Sequence, residues 1–165
     1  MVNDVVYSVI HPCMIAPMDT VTIIRPDLGH REAVLAILKT ANFHAIGGAE
    51  MAEFPLPDCF VATCGTQLVG VAGYRVLDEE TAKTTLLVVN PDFRRKGIGI
   101  QLQQARIGYL RSRGIKLLFT NCDNPEVISW NERHFGFRKT GKLIPKLEDF
   151  GLRDKDHWVN LVAEL

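Results

Sequence analysis

Arg94-Arg95-Lys96-Gly97-Ile98-Gly99 joins three adjacent cations to two glycines where an apolar run gives way to a helical pattern. The apolar run is Leu86-Leu87-Val88-Val89, and Asn90-Pro91-Asp92-Phe93 makes the turn between them. Strand, glycine-bearing loop and helix start, in that order, build an anion site. Backbone N–H groups in the first helical turn have no intrahelical partner, and the helix dipole adds positive potential there. Glycine lets a phosphate approach the backbone closely. The ligand chemistry expected here is a phosphate or a pyrophosphate.

Missing residues narrow the choice. A nucleotide P-loop needs Gly-Lys-Ser/Thr after its glycines, and the segment has none. A dinucleotide fingerprint needs a third Gly or Ala, but Ile100, Gln101 and Leu102 follow Gly99. The remaining Arg-x-x-Gly-x-Gly pattern resembles the pyrophosphate loop of the GNAT superfamily of N-acetyltransferases. The flanks strengthen the likeness: Val89-x-Pro91-x-x-Arg94 precedes the loop, and His134-Phe135-Gly136-Phe137 carries the Gly-Phe pair such proteins often show near the chain end. The resemblance extends over about residues 20 to 140, which suits one small domain.

That resemblance implies a mixed, mostly antiparallel central sheet with one splayed parallel strand pair and flanking helices, an α/β (α+β) fold. It implies acetyl-CoA as cosubstrate and no metal. The pyrophosphate would rest on Arg94, Arg95, Lys96 and the backbone of Gly97, Ile98, Gly99 and Ile100. The backbone of Leu87, Val88 and Val89 would pair with pantetheine as an added strand does, and an N–H near Val88 or Val89 would meet the thioester oxygen. The implied reaction is transfer of an acetyl group to a primary amine, on a small molecule or a peptide, by direct attack in a ternary complex.

The chain departs from the family's usual acid and base. Thr81-Ala82-Lys83-Thr84-Thr85 holds no glutamate in the strand before the loop, and Ser129-Trp130-Asn131-Glu132-Arg133-His134 holds no tyrosine. Asn131 and Ser129 are the substitutes on the helix; Asn131 can only hydrogen-bond, and Ser129 can pass a proton through water. Glu50 and Glu53, beside Gly47-Gly48, lie in the segment that would form the substrate lip, either as water-linked bases or as a solvated helix face. Asn124 is either a contact to pantetheine or the cap of a helix opening at Pro125. Tyr74 has no settled facing, and His44 and His134 titrate in a useful range. Without the usual acid and base, a non-catalytic CoA-binding or regulatory module is the second reading.

Composition bounds the rest. The chain has 165 residues, 47% apolar and 23% charged, with a formal net charge of zero. One domain is expected, with residues 18–165 as its body and Met1–Pro17 as an extension. Zero net charge argues against nucleic-acid binding, and no apolar run is long enough to cross a bilayer. Positive charge nonetheless gathers between Pro91 and Lys116, where Asp92 is the single acid. Cys13, Cys59, Cys64 and Cys122 show neither zinc spacing nor a CxxC, so reduced thiols and a cytoplasmic setting are expected, with the chain a monomer or homodimer. Cys122 is either a reactive thiol at the site or a small buried hydrophobe.

The elements follow from pattern. Thr20–Arg25 reads as a strand, and a helix opens at Pro26-Asp27 with Ala33, Val34, Ile37 and Leu38 as its stripe. Asp58–Cys64 and Gln67–Leu77 form a hairpin about Gly65-Thr66, and Thr81–Asn90 is the next strand. The long helix spans Gly97 to Arg113, with Ile98, Leu102, Ala105 and Tyr109 inward and Gly114 as its stop. Ile115–Thr120, Phe137–Leu143 and Trp158–Leu165 read as strands, with a helix from Pro125 to His134 between the first two.

Overall fold

The computed structural model describes residues 20–41, 56–147 and 151–165. Met1–Pro17, Glu50, Glu53, His44 and the Gly47-Gly48 pair lie outside them. Among the described residues seven strands make one sheet: β1 (Val21–Ile24), β2 (Cys59–Cys64), β3 (Gln67–Val76), β4 (Thr81–Val89), β5 (Leu117–Cys122), β6 (Arg138–Pro145) and β7 (His157–Glu164). Their spatial order is β1-β2-β3-β4-β5-β7-β6. Every neighbouring pair is antiparallel except β4 and β5, which are parallel. This is the mixed, mostly antiparallel sheet expected from the sequence.

Among the described residues three α-helices flank it: α1 (Arg31–Lys39), α2 (Ile98–Ser112) and α3 (Pro125–Phe135). Val34, Ile37 and Leu38 of α1 pack on Val61, Val71, Leu86 and Val88 on one face of the sheet. Ile98, Leu102 and Leu110 of α2 and Ile128 of α3 pack on the other, against Val69, Ala82, Leu118 and Leu161. Central β3 is buried without a break from Leu68 to Tyr74, as befits a strand covered on both faces.

Several boundaries differ from the sequence reading. Asp27 caps a 3₁₀ turn, Leu28–His30, accepting from Gly29 N at 2.8 Å, and α1 follows only at Arg31. β5 starts two residues later than expected. Ile115 ends α2 instead, its N–H returning to Leu110 O at 3.1 Å around Gly114 at φ 85°, a conformation suited to glycine. Phe137 is likewise a buried anchor after α3, not part of β6. The inner face of α2 also differs: Ala105 and Tyr109 are only half-buried, while Gln103 and Arg106 are fully buried beside Ile98, Leu102 and Leu110.

One irregularity sets up the site. Gly73 pairs with Leu86, yet the next residue, Tyr74, pairs with Thr84. Thr85 is therefore an extra residue in β4, a β-bulge that bends the strand and reverses its alternation. Before the bulge Ala82 faces the α2 and α3 core; after it Leu86 and Val88 face α1.

Candidate active site

β4 and β5 pair only from Thr81 to Lys83 and from Leu117 to Phe119. Beyond that β4 runs on to Val89 and β5 to Cys122, each paired on its outer edge alone. The inner edges part into a cleft. At its base Thr84 Oγ1 donates to Thr120 Oγ1 at 2.6 Å, both side chains buried.

Strand alternation decides which backbone groups face the cleft. Asn90 N donates to Val69 O at 2.8 Å. Hydrogen-bonded pairs recur every second residue in an antiparallel ladder, so Val88 with Val71 and Leu86 with Gly73 are the next such pairs. The backbone groups of Leu87 and Val89 are turned the other way, toward β5. Val89 O accordingly accepts from Arg94 Nε at 3.2 Å. Of the N–H groups expected near the thioester, Val88 faces β3 and Leu87 joins Val89 on the cleft side.

The loop sits at the cleft mouth. Asn90 accepts from Asp92 N at 3.1 Å and starts a 3₁₀ turn, Pro91–Phe93. Arg95 at φ 63° and Gly97 at φ 76° both take the left-handed conformation, which curls the backbone before α2 begins. No side chain caps α2 and its first turn holds no acid. Its first N–H groups thus face outward with the dipole's positive end. Lys96 Nζ lies 4.9 Å from the centre of the Phe93 ring, and Arg94, Arg95 and Lys96 are exposed. Gly97 is glycine for its backbone angle. Gly99 is not: its φ is outside the left-handed region, and a Cβ there would meet only Val89 Cγ2, at an ordinary 3.9 Å.

The helix candidates do not converge. Asn131 is buried and its Nδ2 donates to Val127 O at 3.0 Å and reaches Cys122 Sγ at 3.8 Å, tying α3 to β5. Ser129 instead lines a cavity of about 610 Å³ between α3 and the β6–β7 hairpin, with Asp123, Glu132, Lys142 and His157. Asn124 is a helix cap, its side chain accepting from Glu126 N at 2.8 Å. Burial pushes the Cys122 thiol up, which is the inert reading of that residue. Tyr74 is buried beneath α2, its hydroxyl accepting from Arg25 at 2.9 Å, and burial pushes its phenol up to about 12. The His134 ring lies tilted beside Trp130 and Phe135, its centre 6.0 and 6.3 Å from theirs.

Sequence reasoning overlooked Arg106. Its Nη1 donates to Gly73 O at 2.6 Å and Leu86 O at 2.8 Å, the two residues flanking the bulge, and its Nη2 bonds Gln103 Oε1. Burial pulls its pKa down to about 9, which leaves it cationic at neutral pH. The available signal was spacing: Ile98, Leu102, Arg106 and Leu110 recur every fourth residue, so a charge sits inside an apolar stripe.

Known proteins resolve what this cleft belongs to. Residues 31–137, well over half of the chain, match the model of the acetyltransferase (GNAT) family. The chain belongs to the GNAT family. It is an acetyltransferase by that membership, and many solved structures share its fold. Ard1 from Thermoplasma volcanium is 19% identical over 88% of this chain and 97% of its own, with a TM-score of 0.71. A putative GNAT acetyltransferase from Desulfovibrio desulfuricans is 18% identical over 88% of this chain and 99% of its own, at 0.72. A GNAT family acetyltransferase from Elizabethkingia anophelis, solved with acetyl-CoA bound, is 20% identical over 89% and 99%, at 0.69. No curated protein matches the sequence. Among the described residues no helix is long and apolar enough to cross a membrane.

Proposed function

We propose that this GNAT acetyltransferase takes its acetyl group from acetyl-CoA and passes it to a primary amine by direct attack in a ternary complex. One observation carries the reading: a parallel strand pair that parts beyond Lys83 and Phe119 beside a helix start that has no cap. The N–H groups of Gly97, Ile98, Gly99 and Ile100, with Arg94, Arg95 and Lys96, hold the pyrophosphate. Pantetheine lies along the free edge of β4, pairing with Leu87 and Val89. The Leu87 N–H, the farther of the two from the pyrophosphate loop, is the donor for the thioester oxygen as it gains charge.

The amine nitrogen attacks the thioester carbon, the carbonyl electrons move to oxygen, and their return breaks the carbon–sulfur bond. The thiolate leaves, and the attacking nitrogen, positively charged since it bonded carbon, passes its surplus proton to water to give the amide. The amine approaches from the α1 side of the sheet, because α2 and α3 pack closely over the other face. On that open side a groove of about 290 Å³ is lined by Lys83, Phe119, Asn121, Lys142, Ile144 and Asn160. Among the described residues no carboxylate lines it. The site works by positioning and oxyanion stabilisation, which are often the larger catalytic contributions. Release of CoA thiol, followed with acetyl-CoA and a panel of amines, tests the proposal. Turnover with at least one amine supports it, and calorimetric CoA binding without turnover on any amine refutes the catalytic part.

A further inference from the structure

We infer that Arg106 is a positioning residue for acetyl transfer: it locks the β4 bulge and polarises the Leu86–Leu87 peptide toward the cleft. The inference rests on the acetyl-transfer reading of that cleft. The guanidinium is almost wholly shielded, at 2% exposure; its Nη donors go to two backbone carbonyls and a neutral amide rather than to a carboxylate, and its Nε meets no acceptor among the described residues. Burying a cation this way is costly. Nη1 bridges Gly73 O on β3 and Leu86 O on β4, where the register slips. The packing beside it is tight: a Cβ on Gly73 would force the Thr85 hydroxyl to move and press on Leu86 and Cys59.

The geometry has an electronic consequence. Leu86 C=O and Leu87 N–H belong to one conjugated peptide group and point in opposite directions. A cation bonded to the oxygen draws density from the nitrogen and strengthens the N–H as a donor. That N–H belongs to Leu87, whose backbone faces the cleft. The same contact fixes the bend that aims Leu87 to Val89. Arg106 therefore acts on the reacting oxygen through the peptide, without touching substrate.

The test compares Arg106→Met, Arg106→Gln and Arg106→Lys with the parent, measuring kcat, KM for acetyl-CoA, CoA affinity by calorimetry and the melting temperature. In folded Arg106→Met, kcat should fall by about tenfold or more, below the loss typical for deleting an oxyanion donor outright. CoA affinity should hold within about threefold, because the pyrophosphate loop is untouched. Arg106→Lys, which keeps the charge, should turn over faster than Arg106→Gln, which keeps only a donor. Parental kcat in Arg106→Met overturns the inference, as does loss of kcat and CoA affinity by one common factor. If Arg106→Met fails to fold, the Lys-to-Gln comparison decides: faster turnover by Lys at equal CoA affinity supports the inference, and equal turnover overturns it. A parent that neither binds CoA nor releases thiol sinks the acetyl-transfer reading, and this inference with it. A parent that turns over while its neutral variants keep pace sinks only the role of Arg106.

Discussion

Replacing Gly99 with glutamate separates a ligand's demand for glycine from the fold's. Nothing in the fold requires glycine there: the backbone angle is ordinary, and a Cβ would sit 3.9 Å from Val89 Cγ2, in van der Waals contact. Glycine within a helix costs about 0.5–1 kcal/mol relative to alanine, and an acid near a helix N-terminus is favourable. Gly99→Glu should therefore melt at or slightly above the parent's temperature. Binding should respond in the opposite sense. The new carboxylate occupies the space before the Ile98–Ile100 N–H groups and repels the pyrophosphate. Losing one or two charge-assisted hydrogen bonds at about 1.5–3 kcal/mol each weakens CoA by at least about tenfold. Calorimetry with CoA and a thermal melt on the same sample read both effects. Gly97→Ala is the contrasting control, since φ 76° imposes about 1–2 kcal/mol on any side chain and should lower stability directly. A folded Gly99→Glu protein with parental CoA affinity would show that the loop does not hold the pyrophosphate.

Other expectations follow from the same structure. Single changes at Glu50, Glu53 and Ser129 should each cost well under the roughly 100-fold lower bound of a general base, and the rate should rise with pH toward the amine's own pKa; a several-thousandfold loss at one of them, with CoA binding intact, identifies a base instead. Asn131→Ala should lower the melting temperature through its lost bond to Val127 O while turnover, measured where the protein is folded, stays within the same bound. Lys146 and Asp123 form a buried pair at 2.8 Å, and both also bond the Leu152 backbone. Lys146→Met should therefore cost about 3–5 kcal/mol in urea unfolding, with the double change Lys146→Met, Asp123→Leu recovering part of it; a loss under about 0.5 kcal/mol contradicts the buried pair. A chain beginning at Met18 should keep the parental melting temperature, CoA affinity and mass by light scattering; a large shift in any of them assigns Met1–Pro17 a part in the fold or in an interface.

The elements most legible in the sequence were those whose causes are local. Gly65-Thr66 between two β-branched runs placed the β2–β3 hairpin, and Gly114 and Pro125 marked a helix end and a helix start. β5 was displaced because Ile115 looks like a strand residue but serves as the apolar anchor after the helix glycine. The bulge at Thr85 has no local signature. It exists only in the pairing of β4 with β3, so the reversal of facing after it, and the choice of Leu87 and Val89 over Val88, could not be read from one strand. Arg106 was hidden for the opposite reason. A cation on a helix reads as solvated until the carbonyls it meets are known. Asn124 and Asn131 illustrate the ambiguity of short amides, since Asn124 spends its hydrogen bond capping α3 and Asn131 spends its own on Val127 O and Cys122 Sγ.

The claim that acetyl-CoA lies between β4 and β5 is tested most directly by titrating isotopically labelled protein with CoA and following backbone amide resonances. Saturable shifts should concentrate at Leu87, Val89 and Gly97 to Ile100, with α1 and β6 unmoved. Shifts confined to the cavity between α3 and the β6–β7 hairpin, or none at all at saturating CoA, would contradict the account.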